Sequence, residues 1–285
     1  MEFTSLSNGV EMPVVGFGVY QIVKEDCERC VLDAIDVGYR SFDTAQCYYN
    51  EEQVGNAVKK SGIPREEFFL TTKVWIGNYG YESTRESVLG SLRKLKTDYL
   101  DLCLLHKPYA DYHGAYRALE SLYREGVIRA IGVSNFYPDR IVDLSLFAAV
   151  KPMVNQIEMH PHYQRRTDKE WLDKYGIKAE AWAPFGEGRG GLFQNETISD
   201  IAKSYKKTTA QVMIRWHIQN GNIVIPKSVH KERMIENISV FDFDLSAEDM
   251  GKIAAIDKDE SSFFSHSDPA IVEWYSRLVE ERKSK

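Results

Sequence analysis

Four side chains with complementary acid-base chemistry occur in the first half of the chain: Asp43, Tyr48, Lys73 and His106. A free tyrosine has a pKa of about 10, but a nearby ammonium group lowers that pKa and a carboxylate can hold the ammonium in place. Asp43, Lys73 and Tyr48 are therefore a candidate proton relay for reduction of a carbonyl group. His106 would orient that carbonyl through a hydrogen bond. The alternative is structural: a buried Asp43–Lys73 ion pair beside two polar side chains with satisfied hydrogen bonds.

The elements that must position these residues form a regular series. Strand-like apolar runs begin near Val14, Ser41, Phe68, Tyr99, Val127, Met153, Gly176 and Ile223. Helical patterns separate most of them, over Cys27–Val37, Asn50–Lys60, Glu82–Leu95, Gly114–Arg124, Pro138–Phe147 and Thr167–Lys174, and the last gap holds Ser199–Tyr205 and Thr209–Gln219. Strands that alternate with helices indicate parallel β-α units. Eight such units without a change in composition predict an α/β fold, a (β/α)8 TIM barrel, with residues 1–285 in one domain.

The two ends of the chain depart from this alternation. Phe3–Leu6 and Val10–Met12 flank an Asn-Gly turn and predict a β-hairpin that plugs the bottom of the barrel. The tail beyond Ile256 is irregular, and we expect a loop and a short helix, Pro269–Glu280, over one face. Asn50 is predicted to cap the second helix.

Polar and aromatic residues collect at the predicted strand ends, where the active site of such a barrel lies. Besides Asp43, Lys73 and His106, they are Ser134, Asn135, Gln156, Trp182, Lys227 and Ser228. A barrel with a purely structural role does not need polar groups at nearly every strand end. Their convergence indicates a functional site.

Composition excludes several other classes of protein. With 36 basic and 42 acidic side chains the net charge is −6, and no long block of one sign favours nucleic acid or an anionic membrane as partner. No apolar run approaches the ~20 residues that cross a bilayer, and no signal-peptide pattern occurs, so we expect a cytoplasmic protein. Cys27 and Cys30 lie on the apolar stripe of a predicted helix, which favours core packing over redox chemistry or zinc binding.

Several longer motifs carry a resemblance to a known family. GYRSFDTAQCYYNEEQVGNAV at 38–58 resembles the first signature of the aldo-keto reductases. TTKVW (71–75), LLHKP (104–108), AIGVSNF (130–136) and VNQIEMHP (154–161) follow in the family's order, and IPKSVHKERMIEN (225–237) resembles its cofactor-binding signature. GYEST (80–84) and EAWAPF (180–185) are most similar to the microbial branch that reduces diketo-gluconate, methylglyoxal and similar small carbonyls.

The resemblance implies NADPH-dependent reduction of small aldehydes, ketones or dicarbonyls, with Tyr48 as proton donor. It implies that the nicotinamide stacks on Trp182 and that Ser134, Asn135 and Gln156 hold its carboxamide. It further implies that Lys227, Ser228 and Arg233 face the 2′-phosphate, and Glu236 and Asn237 the adenosine end. Two cations and a hydroxyl near the start of a helix suit a phosphate on chemical grounds as well.

The substrate side is less well defined by the sequence. Tyr20, Tyr49 and Trp75 are candidates for the pocket wall, although aromatic residues also pack barrel loops. Lys107 stands where relatives commonly have Trp or Gln, and it either favours an acidic substrate or is a solvated lysine. The tail is shorter than in the steroid-reducing branch, which predicts an open pocket, and a monomer is the family's usual state.

Two motifs and two other functions compete with this assignment. Residues 186–191 match G-x-G-x-x-G, but no acidic residue follows at the required distance, so a mobile glycine-rich loop is favoured. Glu158, His160 and His162 alternate as in a strand-borne metal site, yet no further ligand completes the set, and we predict no metal. A slow nicotinamide-binding regulatory protein stays open. A glycoside hydrolase would need two carboxylates across the site, and the fourth strand ends in His106 instead.

Overall fold

Eight parallel strands form one sheet in which each strand pairs with the next along the chain. The structure is a computed structural model that describes residues 1–283. The barrel strands are β3 (Phe17–Gly18), β4 (Ser41–Asp43), β5 (Phe69–Val74), β6 (Leu100–Leu105), β7 (Ile128–Ser134), β8 (Val154–Glu158), β9 (Lys178–Trp182) and β10 (Ile223–Val224). A parallel bridge between Val15 and Val224 joins the first strand to the last, so the sheet closes on itself. The predicted (β/α)8 barrel is confirmed.

The α-helices lie close to the predicted ranges. They are α1 (Lys24–Asp36), α2 (Glu51–Lys60), α3 (Tyr81–Leu95), α4 (Tyr112–Arg124), α5 (Pro138–Phe147), α6 (Arg166–Tyr175), α7 (Glu196–Tyr205), α8 (Thr209–Gln219), α9 (Lys231–Ile238), α10 (Ala247–Ala255) and α11 (Pro269–Lys283). Helix α7 begins before the predicted Ser199, because the Asn195 side chain accepts a hydrogen bond from the Ile198 N–H group and caps the helix there.

The prediction that Asn50 caps α2 through its side chain is wrong. Asn50 Oδ1 instead accepts a hydrogen bond from Thr44 Oγ1 at 2.8 Å, and Nδ2 donates to the carbonyl oxygen of Val19 at 3.0 Å. Asn50 therefore ties the segment after β3 to the segment after β4. This second segment carries the 3₁₀ turn Gln46–Tyr48 and so places Tyr48 at the barrel mouth.

The core is packed tightly enough to restrict residue choice. Every residue of β6 is buried, as expected for a parallel strand covered on both faces. A Cβ atom on Gly132 would lie 2.4 Å from the carbonyl oxygen of Val154, so the approach of β7 to β8 requires glycine. Cys27 and Cys30 are fully buried, which confirms the core-packing interpretation.

The hairpin and the tail cover opposite ends of the barrel. Strands β1 (Phe3–Ser5) and β2 (Glu11–Pro13) pair antiparallel, and Asn8 in their turn donates to the Arg129 carbonyl oxygen near the start of β7. The tail contributes a loop and helix α11, which extends to Lys283 rather than to the predicted Glu280. Among the described residues, no helix is long and apolar enough to cross a membrane.

Candidate active site

Three of the four predicted catalytic residues are in direct contact. Asp43 ends β4, Lys73 lies in β5, and both are buried. Lys73 Nζ donates to Asp43 Oδ1 at 2.5 Å, to the carbonyl oxygen of Thr44 at 3.0 Å and to Tyr48 Oη at 3.4 Å. The ammonium group is therefore fixed between a carboxylate and the phenol.

The pKa of Tyr48 is raised, and not lowered as the neighbouring Lys73 predicted. Burial raises the pKa of Tyr48 well above its ordinary value, and the negative charge of Asp43 raises it further. Asp43 compensates the charge of Lys73, so the ammonium does not offset the loss of hydration around the phenol. Tyr48 is consequently protonated at neutral pH and can donate its proton.

His106 follows β6 and faces the same group. Its ring centroid lies 5.7 Å from that of Tyr48, in an edge-on arrangement. Burial, followed by the charges of Lys107 and Lys73, holds the pKa of His106 well below its ordinary value, so the imidazole is neutral. Its Nδ1 atom lies 3.4 Å from Cys47 Sγ.

Cys47 is a neighbour of His106 that sequence reasoning missed. Burial raises the pKa of Cys47 to about 11, so its thiol keeps the proton and can donate it to His106 Nδ1. A neutral imidazole that accepts at Nδ1 carries its proton on Nε2. The Nε2–H group is then available to a substrate oxygen. Cys47 immediately precedes Tyr48, but nothing in the sequence indicates its contact with His106.

The four residues predicted to surround the nicotinamide form one hydrogen-bonded network. Asn135 Nδ2 donates to Ser134 Oγ at 2.9 Å and to the carbonyl oxygen of His106 at 3.1 Å, and its Oδ1 accepts from Trp182 Nε1 at 2.9 Å. Ser134 Oγ in turn donates to the carbonyl oxygen of Gln156 at 2.9 Å. The network places the half-buried Trp182 ring beside the strand ends, where it also packs against Phe263.

The residues predicted to face the 2′-phosphate lie at the start of α9. Lys227 and Arg233 are exposed, and neither forms an ion pair with any residue from 1 to 283. The Ser228 hydroxyl donates to the His230 carbonyl oxygen and accepts from the His230 N–H group. No side chain caps the first turn of α9, which leaves backbone N–H groups beside two unpaired cations.

The two residues predicted for the adenosine end lie further along the same helix. Glu236 accepts a hydrogen bond from Thr208 Oγ1 at 2.6 Å, and Asn237 is buried. Glu236 is therefore oriented by α8 as well as by its own helix.

The predicted pocket residues divide into two groups. The Tyr20 ring centroid lies 4.9 Å from that of Tyr48, and the Trp75 centroid lies 5.8 Å from that of His106, so both flank the tetrad. Tyr49 is 59% exposed and lies under the guanidinium group of Arg282. A cavity of about 330 Å³ separates this part of α11 from α3, with Tyr49, Trp75 and Arg282 in its wall.

Lys107 is not a solvated lysine. It is buried, and its Nζ lies 2.8 Å from Nε2 of the buried His266 in the tail. The rings of Tyr275 and Phe264 cover the ammonium group at 5.0 and 5.9 Å. Burial lowers the pKa of Lys107 to about 7, and no carboxylate of the described residues pairs with it.

The tail packs over part of the barrel mouth. Tyr275 of α11 contacts the Trp75 ring at 5.9 Å. Glu158, which ends β8, accepts hydrogen bonds from Ser261 Oγ at 2.6 Å and from the Ser262 N–H group at 2.8 Å. The short tail thus covers Trp75 and Lys107.

The two motifs set aside in the sequence have structural partners. Residues Gly186–Gln194 form an irregular 3₁₀ segment, in which Arg189 stacks on Phe263 at 4.4 Å. His160 Nε2 lies 3.1 Å from Glu158 Oε1, so this pair belongs to the attachment of the tail. In residues 1–283 no group of three or more His, Cys, Asp or Glu side chains is arranged to hold a metal ion.

Comparison with known proteins places the chain in a family. The model of the aldo/keto reductase family matches residues 15–258. The chain is 48% identical over 257 residues to the glyoxal reductase of Bacillus subtilis (strain 168), covering 90% of this chain and 92% of the relative. It is 43% identical over 256 residues to a methylglyoxal reductase of Escherichia coli (strain K12), covering 89% and 92%.

Solved structures of aldo-keto reductases are similar to this chain. An aldo-keto reductase from a Medee basin deep-sea metagenome library superposes with a TM-score of 0.91 at 42% identity, covering 93% of this chain and 98% of that one. An aldo-keto reductase of Bombyx mori in complex with NADP gives a TM-score of 0.88 at 31% identity, covering 92% and 95%. The chain belongs to the aldo/keto reductase family.

Proposed function

We propose that this enzyme reduces small aldehydes, ketones or dicarbonyls to alcohols with NADPH. The observation that carries the proposal is the contact of Lys73 with both Asp43 and Tyr48, beside a neutral His106. The relatives named as glyoxal and methylglyoxal reductases support the same substrate class.

The residues present fit NADPH. Lys227 and Arg233 offer uncompensated positive charge to a 2′-phosphate at the start of α9. Gln156 faces the nicotinamide end of the cofactor in this assignment. Its Nε2 atom already donates two hydrogen bonds within the barrel, so its Oε1 atom is the one that can accept from a carboxamide N–H group. When bound, the nicotinamide supplies the hydride for the carbonyl carbon.

Tyr48 supplies the proton. Its raised pKa keeps the phenol protonated until negative charge develops on the substrate oxygen, and an alkoxide is a stronger base than a phenolate. The proton then moves from Tyr48 Oη to that oxygen. Lys73, which already donates to Oη, stabilises the phenolate that forms.

His106 orients the substrate. Its Nε2–H group donates a hydrogen bond to the carbonyl oxygen and so polarises the bond that is reduced. The imidazole is neutral, so it does not compete with Tyr48 as the acid. Tyr20 and Trp75 form apolar walls on either side, which suits a small substrate.

The glycoside hydrolase alternative is not favoured by this arrangement. That chemistry needs two carboxyl groups on opposite sides of a sugar. Asp43 and a second carboxyl group, Glu180, are hydrogen-bonded to one nitrogen of Gln156, which leaves no room for a sugar between them.

The proposal is tested by NADPH oxidation with methylglyoxal and with a nitrobenzaldehyde. We expect a loss of NADPH absorbance that requires the carbonyl and saturates with its concentration. NADPH binding without carbonyl-dependent oxidation across a panel of aldehydes, ketoses and diketones would instead indicate the slow regulatory protein.

A further inference from the structure

A second buried carboxyl group lies beside the tetrad, and nothing in the reaction above uses it. Glu180 is in β9, fully buried in the barrel. Gln156 in β8 is its direct partner in the strand register, so the two side chains project to the same side of the sheet. Glu180 Oε1 is buried and has no hydrogen-bond partner within residues 1–283.

One nitrogen atom connects this group to the tetrad. Gln156 Nε2 donates to Glu180 Oε2 and to Asp43 Oδ2, each at 2.8 Å. A side-chain amide has two N–H groups, so both are used. Two hydrogen bonds from one nitrogen fix the direction of the Gln156 amide and also its plane. One bond, to Asp43 alone, would leave the plane free to turn.

We propose that Glu180 is a positioning residue, which holds the Gln156 amide in the plane that presents Oε1 to the carboxamide of the bound nicotinamide. The inference rests on the proposed function, in which Gln156 faces the carboxamide. An amide turned the other way would present N–H to N–H, and the carboxamide would lose its acceptor.

The charge balance of the barrel is consistent with this role. Lys73 is the only cation in contact with Asp43 among the described residues, and two ionised carboxylates beside it would leave one negative charge uncompensated. Burial, followed by the charge of Asp43, raises the pKa of Glu180 to about 8. Glu180 is therefore neutral at pH 7, and it accepts from Gln156 without drawing Lys73 away from Tyr48.

The test compares two cofactors that differ only at the carboxamide. The 3-acetylpyridine analogue of NADP⁺ has a methyl group in place of the NH₂ group and cannot donate to Gln156 Oε1. The ratio of its Kd to that of NADP⁺, measured by tryptophan fluorescence, reports on this hydrogen bond, because contacts with the phosphates and the adenine cancel. For the native protein we expect a ratio of about two to ten, the worth of one neutral hydrogen bond.

Three substitutions of Glu180 separate its roles. Glu180→Gln keeps an acceptor for Gln156 Nε2, and we expect it to keep the native ratio. Glu180→Leu and Glu180→Met keep the volume but remove the acceptor, and we expect the ratio to fall to about one. The matched control is Asp101→Asn, which also converts a fully buried carboxylate to an amide but breaks ion pairs with Arg65 and Arg129 at the opposite end of the barrel. It should lose stability and keep the ratio.

A native ratio in Glu180→Leu or Glu180→Met would overturn the proposal. If neither variant folds, ¹⁵N NMR of the native protein tests the proposal through the exchange of the two Gln156 side-chain N–H protons with solvent. We expect slow exchange of both protons, and fast exchange would overturn the proposal. If the native protein has a ratio of one and reduces methylglyoxal rapidly, the positioning role is refuted and the proposed function stands. If the ratios are as expected but the protein reduces no carbonyl compound, the proposed function is refuted and the positioning role stands.

Discussion

Replacement of Arg233 by Ala should change the choice of cofactor. Arg233 is exposed on α9 and forms no ion pair with the rest of the described chain, so its removal disturbs no structural contact that would lower stability. Its planar guanidinium group can bind two phosphate oxygens at once. NADH has no 2′-phosphate, and so only NADPH should be affected.

The size of the effect follows from the loss of a charged hydrogen bond. Such a contact is worth about 1.5–3 kcal/mol, and salt partly screens it at an exposed rim. At 1.4 kcal/mol per decade, the Kd for NADPH should rise about ten- to a hundred-fold. The increase should be smaller at high ionic strength, because screening already weakens the contact in the native protein.

The assay is tryptophan fluorescence titration with NADPH and with NADH. Lys231→Ala is the matched control, because Lys231 is a cation on the same helix whose ammonium group is already paired with Asp36. We expect this control to leave the ratio of the two dissociation constants within two-fold of native. Equally weakened binding of NADPH and NADH in Arg233→Ala would show that Arg233 does not contact the 2′-phosphate.

Three further predictions address the tetrad and its surroundings. Cys47→Ala should lower kcat with methylglyoxal about three- to ten-fold at unchanged Kd for NADPH, because His106 loses the donor that fixes its tautomer; an unchanged kcat would contradict this. Lys107→Gln should lower kcat/KM about ten-fold more for 2-carboxybenzaldehyde than for benzaldehyde, since it removes a lysine that acts electrostatically on His106, and equal losses would contradict a preference for acidic substrates. In urea titrations between pH 5 and 8, the free energy of unfolding should fall with rising pH more steeply for the native protein than for Glu180→Gln. The pKa of Glu180 is about 8 in the folded state and 4.5 in the unfolded state, so only the folded protein keeps this proton across that pH range. Parallel pH curves for the two proteins would contradict this assignment.

The repeating units of the barrel could be predicted because each one carries its own pattern. Helices α5 and α8 have the predicted bounds, since Pro138 and Thr208 mark their first turns in the sequence. The tetrad could be located because strand ends converge in any such barrel, whatever the lengths of the loops. The resemblance to the family then assigned each strand end a role.

Contacts between distant segments could not be predicted in the same way. No motif in the sequence singles out Glu180 in β9, and only the register of β8 against β9 places it beside Gln156. The contact between Lys107 and His266 joins residues 159 positions apart. The length of the tail suggested an open site, but its path across the mouth depends on the hydrogen bonds of Glu158, which no local pattern shows.

In the proposed reaction Tyr48 donates the proton to the carbonyl that accepts the hydride. The decisive measurement is the turnover of methylglyoxal with NADPH by Tyr48→Phe, together with the Kd for NADPH. General acid catalysis typically contributes ~10²–10⁴-fold, so kcat should fall by that factor. The Kd should stay near native, because Tyr48 contacts Lys73 and not the predicted cofactor residues. Near-native turnover by a correctly folded Tyr48→Phe protein would show that Tyr48 is not the proton donor.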